Sequence, residues 1–344
     1  MFAHAEIQSE HKMPDIINST IQDVYNGPEM TRLRQAFLRG EKPKECERCW
    51  KEEAVGNKSF RQTQYPKTVE LQDQYYPTMF DLKLSNICNL KCRMCAAKSS
   101  SLIQKEKGDQ RYTALWLSNK ILGTPNEQHF LDNLAKTTFI ELTGGEPFVS
   151  PENKKLIELI SNTEFASNIS IRLTTNGMVI NKDVIKHLKK FKHASVTFSI
   201  DDLYERLYYS RSGAIHDQII SNLRQVQEAN ILTQVYCTIS NYNVWFLPEF
   251  DTYFRNVLNY NDVFYGHLSY PEHMSIQSLP RNIKNLVAEK LSDSKWSSVV
   301  HFMMSKDINT DRVFIKRNRY LDNLRNTNFK KTYGEWAIIL NELM

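Results

Sequence analysis

Three cysteines fall within eight residues, in the run Ser85-Asn86-Ile87-Cys88-Asn89-Leu90-Lys91-Cys92-Arg93-Met94-Cys95. Thiolates are soft ligands that suit iron–sulfur clusters and zinc. A [4Fe–4S] cluster usually takes four thiolates, so three packed this closely can wrap one cluster and leave an iron without a protein ligand. An open coordination position marks a catalytic metal site rather than a structural one. The other reading is a structural zinc loop completed by a fourth ligand from elsewhere, although zinc sites usually pair Cys-x-x-Cys with a second, distant pair. Two more cysteines lie upstream, in Glu45-Cys46-Glu47-Arg48-Cys49-Trp50. A complete cluster site needs about four ligands, and nothing in the spacing requires His4 or His11 to complete this one. Auxiliary cluster, zinc site and vestigial pair all stay open for Cys46 and Cys49. The sixth cysteine, Cys237, stands alone between Tyr236 and Thr238 in an apolar run and reads as core packing.

Further polar groups gather where short apolar runs end. Thr143-Gly144-Gly145-Glu146-Pro147 combines glycines, which let backbone approach a ligand closely, with a carboxylate able to accept from an ammonium group. Thr174-Thr175-Asn176-Gly177 ends another run, and Ser199-Ile200-Asp201-Asp202 a third. Each also fits an ordinary turn. Glu205 and Arg211 fit a helix after the third, where Arg211 offers a planar fork to a carboxylate or makes a surface salt bridge. Asn241 and Asn243 follow the next run and are pocket candidates. Tyr265, Gly266, His267, Tyr270, Glu272 and His273 face substrate, core or solvent.

The elements that must position these groups follow one rhythm. Runs of strand length begin at Phe80, Thr138, Ile169, Ser195, Leu232 and Val263, most of them rich in β-branched or aromatic residues. Between them lie helically spaced stretches such as Asn153 to Ile160 and Asp183 to Leu188. Alternating β and α elements predict parallel strands with right-handed crossovers. The expected fold is α/β, a partial (β/α)6 barrel, with the polar groups at the C-terminal strand ends where such sheets place their sites. Residues 1–75 form an N-terminal cysteine-containing segment, 76–280 the barrel, and 281–344 a charged helical extension. Residues 15–39 read as polar helix interrupted by Asn26-Gly27-Pro28, and 40–66 as a charged loop.

Composition narrows the class. The chain has 344 residues, 41% hydrophobic and 24% charged, ordinary for a globular protein. The 44 Lys and Arg barely exceed the 39 Asp and Glu, and no basic run interleaved with aromatics marks a nucleic-acid surface. The start, MFAHAEIQSEHKMPD, shows no secretory signal, and no stretch nears the roughly 18 apolar residues of a membrane span. A cytosolic location is expected, and in that reducing compartment clustered cysteines point to metal rather than disulfides.

Cys-x-x-x-Cys-x-x-Cys after the first strand of a six-unit α/β pattern resembles the radical S-adenosylmethionine (SAM) superfamily, over Phe80 to about Pro280. The resemblance implies that Cys88, Cys92 and Cys95 hold a [4Fe–4S] cluster whose open iron binds SAM. An electron then cleaves SAM to a 5′-deoxyadenosyl radical, which abstracts hydrogen from substrate. It implies that Gly144, Gly145, Glu146 and Pro147 hold the SAM amino group and that Asn176 contacts SAM or substrate. Ser199 and Asp201 would line the ribose, Arg211 would meet the carboxylate, and the Met94 backbone would contact adenine. Two departures stand out: Met94 replaces a frequent aromatic, and Asp202 a usual glycine. The N-terminal segment, with Asp23 to Gly27, Met30 to Arg34, Glu52, Glu53, Gly56, Ser59 and Arg61, looks like a SPASM or twitch auxiliary-cluster segment. Relatives act on ribosomal peptides, protein side chains, sugars or small precursors, and a peptidyl substrate is preferred here, with an electron donor such as flavodoxin or ferredoxin. The alternative is a non-catalytic iron–sulfur or zinc-binding interaction protein on the same barrel.

Overall fold

A computed structural model describes residues 19–54, 59, 61–62, 76–109, 122–123 and 125–343. His4, His11 and Gly56 lie outside the described residues. Two compact units emerge: residues 1–80 with 119–138, and residues 81–118 with 139–344.

In the first unit, Thr20 opens the helix Ile21–Asn26 through a capping box. Its hydroxyl accepts from the Asp23 amide at 3.1 Å, and the Asp23 carboxylate accepts from the Thr20 amide at 3.0 Å. The expected break at Gly27 is present, and Pro28 then starts the helix Pro28–Leu38 at a position whose N–H would have no helical partner. The stretch 40–66 is not wholly loop. Lys44–Cys46 is a 3-10 turn that runs into the helix Glu47–Ala54. Glu, Arg, Lys and Ala are strong helix formers, and Glu47 sits in the first turn, where negative charge favours a helix start. The helix Pro125–Leu134 belongs to the same unit, with Phe130 packed edge-on against Phe80 at 5.4 Å.

Among the described residues eight strands can be followed: β1 (Met79–Leu82), β2 (Lys91–Cys92), β3 (Phe139–Leu142), β4 (Ser170–Thr175), β5 (His193–Ser199), β6 (Arg211–Ser212), β7 (Leu232–Ile239) and β8 (Val263–His267). Six form one sheet in the order β1-β3-β4-β5-β7-β8. From β3 onward each strand pairs parallel with the next, with Ile140 opposite Ile171, Leu173 opposite Val196, Phe198 opposite Val235 and Cys237 opposite Tyr265. All six expected strands begin within two residues of their expected starts, so the partial α/β barrel stands. β2 and β6, two residues each, pair antiparallel away from that sheet. Periodicity cannot reveal strands so short.

Along β4, Ile171, Leu173 and Thr175 are buried while Ser170, Arg172 and Thr174 are half-exposed, so the sheet has a covered face and a more open one. Helices form the covering layer. Ser150 caps Pro151–Ser161 by accepting from the Asn153 amide, and that helix buries Leu156, Ile157 and Ile160. Each such burial contributes at most ~1.5–3 kcal/mol. Beyond Pro280 the chain is helical as expected, in Arg281–Lys290, Ser297–Met304, Asp311–Arg325, Phe329–Tyr333 and Glu335–Leu343. These helices pack on the barrel within the second unit. Trp336 is buried, stacks on Trp245 at 5.2 Å and donates its indole N–H to the Asn241 carbonyl at 2.8 Å. No helix among the described residues is long and apolar enough to cross a membrane.

Candidate active site at the strand ends

The loop after β1 carries the cysteine triplet and is fastened by its own polar residues. The Asn86 amide donates to the Ala97 carbonyl at 2.9 Å and to Gln104 at 2.6 Å. The Cys88 N–H donates to Ser101 Oγ at 3.2 Å, and Ser100 Oγ donates to the Leu90 carbonyl at 2.8 Å. Cys92 is buried, while Cys88 and Cys95 are half-buried; Met94 is half-buried between them. Burial pushes the Cys88 thiol up to about 12. Cys95 is held well above the usual thiol range by its hydrogen bond to Cys92 and by burial. The same hydrogen bond lowers Cys92 against its own burial, helped by the nearby Arg211 charge.

Metal binds the thiolate, not the thiol, so thiols this reluctant to ionise need a cationic partner to release their protons. Cys88 and Cys95 are raised in this way while Cys92 is lowered, and the three lie within mutual electrostatic reach beside the Arg211 guanidinium. Among the described residues, no three His, Cys, Asp or Glu side chains converge on the point that a single ion would occupy. Three thiol sulfurs in one loop are the soft donors that an iron–sulfur cluster takes.

The Gly-Gly-Glu turn packs against this loop. Gly145 has φ +52°, and a Cβ there would stand 2.3 Å from the Ile87 carbonyl oxygen. The close approach that glycine permits is to the cysteine loop's own backbone, where the Glu146 N–H donates to the Ile87 carbonyl at 2.7 Å. The Glu146 carboxylate is only 1% exposed. It accepts from Thr175 Oγ1 at 2.6 Å, from the Asn176 amide at 2.7 Å and from the Phe148 amide at 3.1 Å. Burial raises it to about 7, against the pull of those donors. Glu146 therefore joins the ends of β3 and β4. The Asn176 side chain then donates to Asn89 Oδ1 at 2.8 Å and approaches Cys88 Sγ at 3.9 Å.

A second tie comes from β5 and β6. Arg211 was expected on the helix following β5, but that helix is Tyr204–Ser210 and Arg211 lies just beyond it, in β6, opposite Cys92. There its backbone has left the helical region, at φ −117° and ψ 71°. Its guanidinium forks onto Asp201, Nε to Oδ2 at 2.6 Å and Nη2 to Oδ1 at 3.0 Å. Asp201 also accepts from the Thr238 amide at 2.9 Å. Burial opposes the Arg211 charge, and Asp201, with Cys92 and Cys95, more than restores it. Ser199, half-exposed, ends β5 on the same side. Cys88, Cys92, Gly144, Gly145, Glu146, Asn176, Ser199, Asp201 and Arg211 thus gather at one end of the sheet.

Other candidates take structural roles. Asn241 and Asn243 are 0% and 2% exposed, so they do not open into a pocket. Asn241 donates to the His273 carbonyl and to Ser278, and Asn243 to the Asp201 and Thr238 carbonyls. Asp202, at the usual glycine position, is buried and accepts from the Leu203 amide and Arg206. Tyr265 donates to Asp251, and His267 stacks on Phe302 at 4.3 Å. Cys237 is buried core, as expected.

In the first unit, Cys46 ends the 3-10 turn and Cys49 lies one turn along the following helix, on the same side. Burial and the neighbouring Cys49 raise Cys46. Arg61 stacks over Trp50 at 4.7 Å and pairs with Glu53, which also accepts from Ser59 at 2.6 Å.

A family model described as the radical SAM superfamily matches residues 82–259, more than half of the chain. The chain belongs to the radical SAM superfamily. Members of that family are enzymes that use SAM and a [4Fe–4S] cluster. A GTP 3′,8-cyclase of Mannheimia succiniciproducens is 31% identical over 143 residues, 41% of this chain and 38% of that protein. The sporulation killing factor maturation protein SkfB of Bacillus subtilis is 25% identical over 174 residues, 50% of this chain and 38% of that one. The radical SAM chain thus spans less than half the length of these two relatives. Among solved structures, native anSMEcpe with bound AdoMet is 17% identical, covering 67% of this chain and 63% of that chain, with a TM-score of 0.44.

Proposed function

We propose that this radical SAM enzyme binds SAM over the gathered strand ends and acts on a peptidyl substrate. What carries the SAM site is the double tie of the cysteine loop, through Asn176 and Glu146 at Cys88 and through Arg211 and Asp201 at Cys92. When bound and reduced, the cluster supplies the electron that cleaves SAM to a 5′-deoxyadenosyl radical. The chain's own residues do the rest. Cys88, Cys92 and Cys95 hold the cluster, and the Arg211 charge favours the ionised forms of Cys92 and Cys95. The Glu146 carboxylate, held by three of the chain's own donors, fixes the Gly144–Gly145 backbone and with it meets the SAM amino group. Ser199 and the Arg211–Asp201 pair face the ribose and carboxylate, and the Met94 backbone the adenine.

The peptidyl reading draws on the names of matched relatives: SkfB, the subtilosin biosynthesis protein AlbA and the mycofactocin maturase MftC. The cyclase relative supplies the competing small-molecule reading. Anaerobic reconstitution with iron and sulfide, reduction by flavodoxin or ferredoxin, and assay of 5′-deoxyadenosine test both. A peptide pool is expected to raise 5′-deoxyadenosine formation above the basal rate, and GTP to leave it unchanged. Stimulation by GTP alone overturns the peptidyl reading, and no SAM cleavage under any condition favours the interaction-protein alternative.

We further propose that residues 1–75 form an auxiliary segment in which Cys46 and Cys49 ligate a second cluster. The Cys46→Ala/Cys49→Ala protein is then expected to lose about four irons per chain while still cleaving SAM in the absence of substrate. Equal iron in variant and parent removes the auxiliary cluster, and zinc in the parent assigns the pair a structural site.

A further inference from the structure

The helix Asp311–Arg325 lies outside the span matched by the family, yet it grips the cluster loop on both sides of Cys92. Arg93, the next residue, has a fully buried side chain with every nitrogen engaged. Nη2 donates to Asp322 Oδ1 and Thr327 Oγ1, both at 2.7 Å, Nη1 to Asn318 at 3.4 Å, and Nε to the Tyr209 carbonyl at 2.9 Å. The guanidinium also lies 3.5 Å over the Tyr209 ring. On the other side, Arg325 Nη1 donates to the Lys91 carbonyl at 2.8 Å and to Ser212 Oγ at 3.1 Å. Its Nε and Nη2 pair with Glu106, which also meets Lys91.

The helix end is shaped for this task. Asn326 takes a left-handed conformation, φ 50°, and the chain doubles back. Thr327 Oγ1 and the Phe329 amide then both donate to Asp322, at 2.7 and 2.8 Å. Asp322 is thus fixed before it receives Arg93. Three of the residues touched directly, Lys91, Arg93 and Ser212, belong to or adjoin the β2–β6 bridge that sets Cys92 against Arg211.

We propose that Arg93, Asp322 and Arg325 are positioning residues for the cluster, locking the Cys92 backbone through the C-terminal helix. The proposal rests on the cluster reading of Cys88, Cys92 and Cys95. A purely structural ion pair would alter stability alone, whereas a lock on the Cys92 flanks also sets the geometry of the bound cluster and its hold on iron.

The test uses the full chain, reconstituted anaerobically, as parent, Asp322→Asn, Arg325→Lys and Lys284→Met. Lys284 is the control. It is equally buried in the same helical extension and pairs with Asp307 and the Lys306 carbonyl, without touching the loop. Readouts are the thermal midpoint, iron per chain, the rate of iron loss to a chelator, and the EPR spectrum of the reduced cluster with SAM. Asp322→Asn and Arg325→Lys are expected to release iron about 10- to 100-fold faster and to change the EPR line shape. Lys284→Met is expected to lower the midpoint while leaving both cluster readouts at parental values. Parental release rates and spectra in both loop variants, or equal changes in Lys284→Met at a matched midpoint, overturn the proposal. A parent that takes up no [4Fe–4S] cluster removes the cluster reading, and the positioning role with it.

Discussion

Cys92→Ala is expected to abolish SAM cleavage and to remove the site's cluster, judged by iron and sulfide per chain and by loss of the reduced-cluster EPR signal. Three thiolates are already one short of the usual set, and two do not retain a catalytic cluster. No substitute stands ready in the second unit. Its remaining cysteine, Cys237, is 0% exposed, directs its thiol at the Asp201 carbonyl and accepts from Asn243. The fold should survive, because the change removes one sulfur and costs ~1 kcal/mol, typical of a single substitution. The β2–β6 bridge is backbone and remains. A loss of activity with a thermal midpoint lowered by only a few degrees therefore isolates the ligand role. Parental SAM cleavage by Cys92→Ala sinks the cluster assignment, and with it the reading of Cys88 and Cys95.

The order of the six long strands and the clustering of their polar ends were legible because they depend on local pattern. Apolar runs of strand length alternate with helical spacing, and parallel order then brings Gly145, Asn176, Ser199 and Asp201 to one end without further information. What stayed hidden depends on partners far away in sequence. Glu146 reads as a carboxylate offered to a ligand, because its donors Thr175 and Asn176 come from another strand. Arg211 reads as helical because its bridge partner, Cys92, lies more than a hundred residues earlier. Asn241 and Asn243 look like pocket residues for their position after a strand, yet their amides satisfy buried carbonyls that sequence does not show. The grip of Asp322 on Arg93 leaves no local trace, since an Arg between two cysteines and an Asp late in a charged helix are each unremarkable alone.

The Arg211–Asp201 pair gives the second large effect. Both partners are nearly buried, with side-chain exposures of 10% and 2%, and they meet through a two-pronged fork. Removing one partner of a buried pair leaves an uncompensated charge and typically costs ~3–5 kcal/mol. Arg211→Ala is therefore expected to lower unfolding free energy by about that much in a denaturant titration, since Asp201 keeps only the Thr238 amide as a donor. Asp201→Ala should cost about as much for the mirrored reason. Arg211→Lys should recover only part, because an ammonium cannot reproduce the fork. The Arg211→Met/Asp201→Leu double variant should regain much of the stability, as apolar replacements of buried pairs often do. That double variant separates fold from function. If the pair also faces SAM, the refolded protein, compared with the parent at matched iron content, should bind SAM one to two orders of magnitude more weakly, about 1.4–2.8 kcal/mol. Parental SAM affinity in a stable double variant would confine the pair to holding β6 against the cysteine loop. Parental stability in Arg211→Ala would deny even that, since a buried carboxylate stripped of its guanidinium must register in the unfolding free energy.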